Sequence, residues 1–328
     1  MKFSLVTALF VSTTCLAQAP AAPAPQGAPP APSRQVFPGL NEVEGVSVDR
    51  FIGQPKDQPV HLSHGLLLTH AILTPGDPYH PGPQGAVLEY RKLLATADLL
   101  PGHQTPLETY PDEYFFYVKS GEGRLDDGKQ SWDLREGIAV LVPPSVPHRL
   151  ISTGSKPLSM IMLQWTAGPN AKNALIVRDT HLLPWCEENA HWGNTSHCIF
   201  SAADGLLQGE RIYTVMLQPW SVSQPHSHTP GTEEIWTKIS PGSIPILMGS
   251  DLRDMAQDTA YLVPPNGKTD HSNINVSKDA VEWWVYIARG PNPAPNASPR
   301  PQGGGRPPAN PNLSRDTQAA TVAGTPLR

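Results

Sequence analysis

Short apolar runs punctuate the chain. ATADLLP, EYFFYVKSG, GIAVLVPP and LSMIMLQW follow one another in the first half, and RIYTVMLQP, EIWTKISPG, TAYLVPP and VEWWVYIA in the second. Each is rich in Val, Ile, Tyr, Phe or Trp, and Gly/Pro punctuation separates it from the next, which is the pattern of strands rather than helices. Helical periodicity is scarce, and LEYRKLLATA, residues 88–97, is a candidate helix. The runs also repeat. Glu113 and Glu234 lie 121 residues apart, as do Gly121 and Gly242 and the LVPP runs starting at Leu141 and Leu262; SMIMLQW, ending at Trp165, falls on AVEWWVY, ending at Tyr286, at the same spacing. This self-similarity predicts two copies of one all-β domain. Strands so short and evenly spaced predict a barrel or jelly roll for each copy.

Composition changes the picture at the ends. The chain holds 38 prolines in 328 residues, more than twice the usual share of about 5%, and they gather at the termini. Residues 18–40, opening with the spacer QAPAAPAPQGAPPAPSRQ, and residues 291–328, with PNPAPNASPRPQGGGRPPANPN, read as disordered Pro-rich segments. Residues 1–17 combine Lys2, an apolar run from Phe3 to Val11 and small residues near Ala17, the arrangement of a signal peptide cut before Gln18. Cys15 raises a lipoprotein alternative, against which stands the polar Ser12-Thr13-Thr14 before it. The expected location is secreted or periplasmic. No other apolar segment reaches the roughly 18 residues that a membrane-spanning helix needs. What remains divides into an N-terminal barrel over 41–168, an interdomain segment over 169–200 and a C-terminal barrel over 201–290.

Cys186 and Cys198 are the cysteines left after export. In an oxidising compartment they predict a disulfide, worth roughly 3 kcal/mol for so short a loop in the chain-entropy view. The alternative is a metal-binding segment, CEENAHWGNTSHC, using His191 and His197, although its spacing matches no common zinc pattern. The net charge of −5 and the absence of basic runs argue against nucleic-acid binding and leave small molecules as the expected partners, with homo-oligomerisation left open.

The candidate chemistry lies in PHSHTPGTEE. On an extended chain, side chains at i and i+2 face the same way, so His226 and His228 present their imidazoles together. Glu233 and Glu234 follow, and His271 comes after the second LVPP run with Asn275 four residues on. These segments, PHSHTPGTEEIWTKISPG and LVPPNGKTDHSNIN, resemble the two motifs of the cupin superfamily, G-x5-H-x-H-x3-4-E-x6-G and G-x5-P-x-G-x2-H-x3-N. The resemblance covers both repeats and implies a bicupin, two tandem jelly-roll barrels. It implies a metal site of His226, His228, Glu234 and His271; Glu233 fits the spacing from His228, and the run EEIW favours Glu234. The opening glycine of the first motif is not evident, and the second motif carries extra residues before His271.

Three neutral imidazoles and one carboxylate suit one divalent transition metal, Mn, Fe, Ni, Cu or Zn, rather than Mg or Ca. In the first copy Leu107 and Thr109, or their neighbours, stand where the histidine pair belongs, while Glu113 and His148 remain, so that barrel is expected to hold no metal. His61, His64 and His70 read as loop or strand-surface histidines. Related bicupins include dioxygenases, isomerases, hydrolases and storage proteins, so the leading expectation is an exported metalloenzyme for a small, oxygen-rich substrate. A non-catalytic binding module with an orienting metal is the alternative. Lys238 and Tyr261 are candidates for moving protons.

Overall fold

The computed structural model describes residues 46–186 and 191–291. The predicted signal peptide, the linker 18–40 and the tail after residue 291 lie outside the described residues. Among those described there is no α-helix, only strands and four short 3-10 turns, giving an all-β fold.

The N-terminal strands form two sheets. The larger has eight strands, running in order Ile176–Asp179, Ile138–Val142, Glu113–Ser120, Leu158–Trp165, Arg91–Leu99, Leu67–Pro75 and Val60–Ser63, with Ala86–Leu88 pairing beside Leu67–Pro75. The smaller consists of Arg149–Ser152, Gly123–Asp126 and Ser131–Leu134. The C-terminal strands repeat the arrangement. One sheet runs Ile52–Gly53, Ala260–Val263, Glu233–Lys238, Glu282–Arg289, Arg211–Leu217 and Thr195–Phe200, and a four-stranded sheet runs Ser221–Val222, His271–Asn275, Ser243–Met248 and Asp251–Ala256.

The run EYFFYV is apolar without alternation because its strand is buried on both faces. Tyr114, Phe116 and Val118 pack with Leu67, Ala95 and Met160 in one core, whereas Phe115 and Tyr117 join a second core shared with Ile235, Trp236 and Trp284 of the C-terminal half. Side chains on a strand alternate between faces, so one strand serves two cores. The halves also exchange structure: Ile52 pairs with Tyr261 across the sheet, Arg91 and Glu210 form a buried ion pair, and Glu233 Oε2 accepts hydrogen bonds from the backbone N–H of Glu89 and Tyr90 at 2.7 and 2.9 Å. The repeated glycines have a backbone reason. Gly121 follows one strand and Gly242 precedes another, both with positive φ, 87° and 80°, where a side chain would be strained.

The candidate helix at 88–97 is absent. Leu88 ends one strand and Arg91–Leu99 forms another, hydrogen-bonded on one side to Leu158–Trp165 and on the other to Leu67–Pro75. Burial of Leu94, Ala95, Ala97 and Leu99 between two neighbours outweighs the helix preference of Ala and Leu. Residues 169–200 supply edge strands to both halves: Ile176–Asp179 pairs with Ile138–Val142, and Thr195–Phe200 with Arg211–Leu217.

Cys186 and Cys198 are disulfide-bonded with Cα atoms 5.5 Å apart, tying the preceding loop to that second edge strand. His197 stacks on Trp185 and its Nδ1 meets Pro184 O at 3.2 Å, so it serves packing rather than a thiolate site. Intact mass is expected to rise by a pair of hydrogens on reduction, with the mature chain starting near Gln18. Two free thiols in protein kept from reductant would contradict the pairing.

Candidate metal centre

His226, His228, Glu234 and His271 converge. One donor atom from each lies within 4.8 Å of the others. Glu234 is the second residue of the strand Glu233–Lys238, and His271 opens the strand His271–Asn275. His226 lies in a loop and not on a regular strand, but an isolated bridge fixes it: His271 N–H donates to His226 O at 3.0 Å and His226 N–H to His271 O at 3.4 Å. The i, i+2 expectation holds in effect, since the His226 and His228 rings have centroids 4.6 Å apart. Alternation along the strand separates the two glutamates. Glu234 turns toward the histidines, and Glu233 turns toward Glu89 and Tyr90 of the other half.

Neighbouring groups orient the donors. His226 Nδ1 lies 2.7 Å from Gln224 O, which fixes that nitrogen as the protonated one and leaves Nε2 with a lone pair for a cation. The Glu234 carboxylate is 1% exposed and surrounded by donors. Its Oε1 lies 2.7 Å from Trp236 Nε1 and 2.9 Å from His271 Nε2, and its Oε2 lies 2.6 Å from His228 Nε2 and 3.1 Å from Tyr286 Oη. Burial alone would raise its pKa, but the imidazoles of His228 and His271 overcome that and hold it well below the usual carboxylate range. Burial, and then His271, push the imidazolium form of His226 down to about 4. The ligand set therefore comes with an ionised carboxylate and, in His226, an imidazole that resists protonation.

A divalent transition ion fits this set. His228 Nε2 is buried and, despite its closeness to Glu234, forms no hydrogen bond of good geometry, as expected of an atom meant to share a cation rather than a proton. Imidazole and carboxylate donors suit Mn, Fe, Ni, Cu or Zn. The site opens into a small cavity, walled further by His191, Asn194, Ser196, Arg211 and Tyr213.

Neither candidate for proton movement belongs to that wall. Lys238 is fully buried, its Nζ bonded to Ser240 O at 2.7 Å and to Glu282 Oε2 at 2.7 Å. Tyr261 donates to Asn273 Oδ1 at 2.9 Å, and burial, followed by the Glu234 charge, drives its pKa well above the ordinary value. The residues missed from sequence are Trp236 and Tyr286, which hold the carboxylate, and Arg211 and Asn194, which line the cavity. Arg211 left a signal, a charge opening the otherwise apolar strand RIYTVML.

Strand pairing also corrects the reading of the first half. Glu108 and His148 form the same isolated bridge that joins His226 to His271, so Glu108 and Tyr110, the neighbours of Leu107 and Thr109, occupy the positions of His226 and His228. Tyr114 pairs with Val142 as Glu234 pairs with Val263, and these valines hold the same place in the two LVPP runs. Tyr114 thus stands where Glu234 stands, and Glu113 corresponds to Glu233. Glu113 points away from the first core toward Arg91 and Glu210, where burial first, and the Glu210 charge second, raise its pKa to about 7. His64 is not a surface residue. It turns at φ 46° and is 6% exposed, packing against Tyr110, Tyr114, Phe116 and His148 with ring centroids 4.3, 4.8, 5.7 and 5.5 Å away. His61 is exposed and His70 half-buried. Among the described residues the four-residue donor group is found only in the C-terminal half.

Comparison with known proteins bears on the fold. A family model for the cupin domain matches residues 95–164, in the half without the donor group. The uncharacterized protein MJ1618 of Methanocaldococcus jannaschii is 26% identical over 72 residues, covering 22% of this chain and 58% of that protein. AerE from Microcystis aeruginosa superimposes with a TM-score of 0.55 at 13% identity, over 73% of this chain and 99% of its own. A variant oxalate decarboxylase of Bacillus subtilis gives 0.55 at 12% identity, over 76% and 80%. Together, the matched domain and the shared architecture show that the chain has the cupin-superfamily fold, with a candidate His/Glu metal-ligand cluster.

Proposed function

We propose that the chain is an exported bicupin metalloenzyme, with one divalent transition metal held by His226, His228, Glu234 and His271 and a small polar, oxygen-rich substrate admitted beside it. The observation that carries this reading is the convergence of three imidazoles and a buried carboxylate at the wall of an open cavity. The repeated sheets and matching bridges support two barrels, of which the first lends structure and not ligands. The leader at residues 1–17 and the Cys186–Cys198 bond suit a secreted or periplasmic protein.

His226, His228, Glu234 and His271 would hold the metal, which would supply Lewis acidity or oxygen chemistry there. The chain's own residues do the rest. Trp236 and Tyr286 each give the Glu234 carboxylate a hydrogen bond, fixing its rotamer before any ligand arrives. Gln224 fixes His226 through Nδ1.

The test is turnover. Small hydroxy- and keto-acids, phenol-like compounds and sugar derivatives should be screened for both oxygen consumption and anaerobic loss of substrate. Glu234→Gln is expected to abolish turnover while the protein stays folded, whereas Glu233→Gln should keep turnover and lose stability. Tight binding without conversion in either screen would instead identify a binding module.

A further inference from the structure

The cavity beside the donor group is polar where the same fold in the first half is apolar. Strand register makes the comparison position by position. Tyr114 pairs with Gln164 as Glu234 pairs with Ala288, and Gln164 in turn pairs with Leu93 as Ala288 pairs with Arg211. Arg211 therefore takes the place of Leu93. In the same way the pair Tyr213 and Tyr286 takes the place of Ala95 and Met162. On the neighbouring strand Thr69 faces Ala97 as Ser196 faces Val215, and both strands slip register at the same point, between Ala71 and Leu73 and between Cys198 and Phe200. Asn194 thus stands where Leu67 stands.

Leu67, Ala95 and Met162 belong to the first half's buried core, with Leu93 packed against it. The fold does not need polar groups at these positions, since one copy does without them. A half-buried arginine is costly to place there unless it meets something. Its described hydrogen bonds both run to Tyr286 Oη, at 3.4 and 3.3 Å, the weak end of the range. Tyr286 spends its own proton on Glu234. Asn194 Oδ1, also on the cavity wall, is buried without a hydrogen-bond partner. The amide and the guanidinium thus line the same cavity as His226 and Glu234. A divalent ion held by one carboxylate leaves positive charge, and Arg211 adds to it.

We propose that Arg211 is the carboxylate-binding and specificity-determining residue of this cavity, so that the ligand is a small carboxylic acid with a second oxygen facing the His226 and Glu234 side. The assignment rests on the reading of that cluster as a metal-bearing substrate site. Planar, charge-assisted pairing with a carboxylate is the contact for which a guanidinium is built.

Glycolate, lactate and pyruvate, each against its uncharged amide, should be titrated into the metal-loaded protein by calorimetry, with metal content measured on the same samples. Each acid is expected to bind at least about tenfold more tightly than its amide, as loss of one charge-assisted contact implies. Arg211→Leu, which installs the residue of the other half, should bring that ratio close to one and leave metal content unchanged. Arg211→Lys should keep a reduced preference, and it serves where the leucine variant fails to fold. If Arg211 only props Tyr286, acids and amides will weaken together and the ratio will persist, which overturns the assignment. Equal binding of acid and amide by the wild type, or binding of neither, overturns it as well. Folded wild type that holds no metal contradicts the metal reading instead, and the acid-to-amide ratio of that same protein still reads Arg211.

Discussion

Purified protein is expected to carry one equivalent of a divalent transition metal, and His271→Ala or His226→Ala to lose it, while His148→Ala retains it. The asymmetry follows from the paired bridges: His271 sits opposite His226, but His148 sits opposite Glu108, with Tyr110 and Tyr114 where a histidine and a carboxylate are needed. Tyr110 Oη donates to Glu108 Oε2 at 3.0 Å, so even that carboxylate is engaged locally. Metal that binds only the folded chain stabilises it, by about 4 kcal/mol at a thousandfold excess over Kd. Chelation should therefore lower the melting temperature of the wild type and of His148→Ala but not of His271→Ala. Elemental analysis and thermal melts with and without chelator measure both effects. Two equivalents in the wild type, or full retention in both second-half variants, would show that the halves do not differ as their registers indicate.

Much of this centre was legible before any coordinates. The H-x-H pair, a glutamate and a distant histidine after LVPP, set against the cupin motifs, pointed to the four residues that the structure brings together. The all-β class was legible for a similar reason: Gly and Pro interrupt every apolar run before a helix can form. Register was not legible. The sequence spacing of 121 residues aligned Glu113 with Glu234, yet the partners across the sheet align it with Glu233, because the distances between strands differ by a few residues at the intervening turns and bulges. One residue along a strand reverses the face, so that slip turned a supposed remnant ligand into part of the contact between halves.

His64 was misread as a surface residue on other grounds. A histidine beside a glycine reads as a turn, which it is, but its left-handed backbone swings the ring inward instead of out. Residues 169–200 likewise carry no strand signal that says which half they serve, and the answer, both, depends on two exposed sheet edges found only in the fold. Arg211 is intermediate. Its charge at the head of an apolar strand is visible in the sequence, whereas its opposition to Leu93 is visible only through the pairing.

The buried His64 leads to a second large effect, on stability against pH. Burial, and then the neighbouring His148, push its pKa down to about 3, from 6.5 in an open chain, and burial lowers His148 in the same direction. The folded state thus refuses a proton that the unfolded state accepts. Above the unfolded pKa neither state is protonated and the group costs nothing. As pH falls below that value the unfolded chain gains, and stability is lost progressively until the folded pKa is reached. By about pH 5 the loss from one such histidine is about 2 kcal/mol. Glu113 acts in the opposite sense, because its raised pKa favours the folded state as pH falls, so the wild-type curve alone is ambiguous. The variant His64→Asn isolates the effect, since asparagine tolerates the left-handed turn and does not titrate. Denaturant unfolding should find it less stable than the wild type at about pH 7.5, by the roughly 2 kcal/mol of lost ring packing, and nearly equal at about pH 5. A gap that stays constant between those conditions would mean that the His64 ring takes up protons as freely in the folded protein as in water.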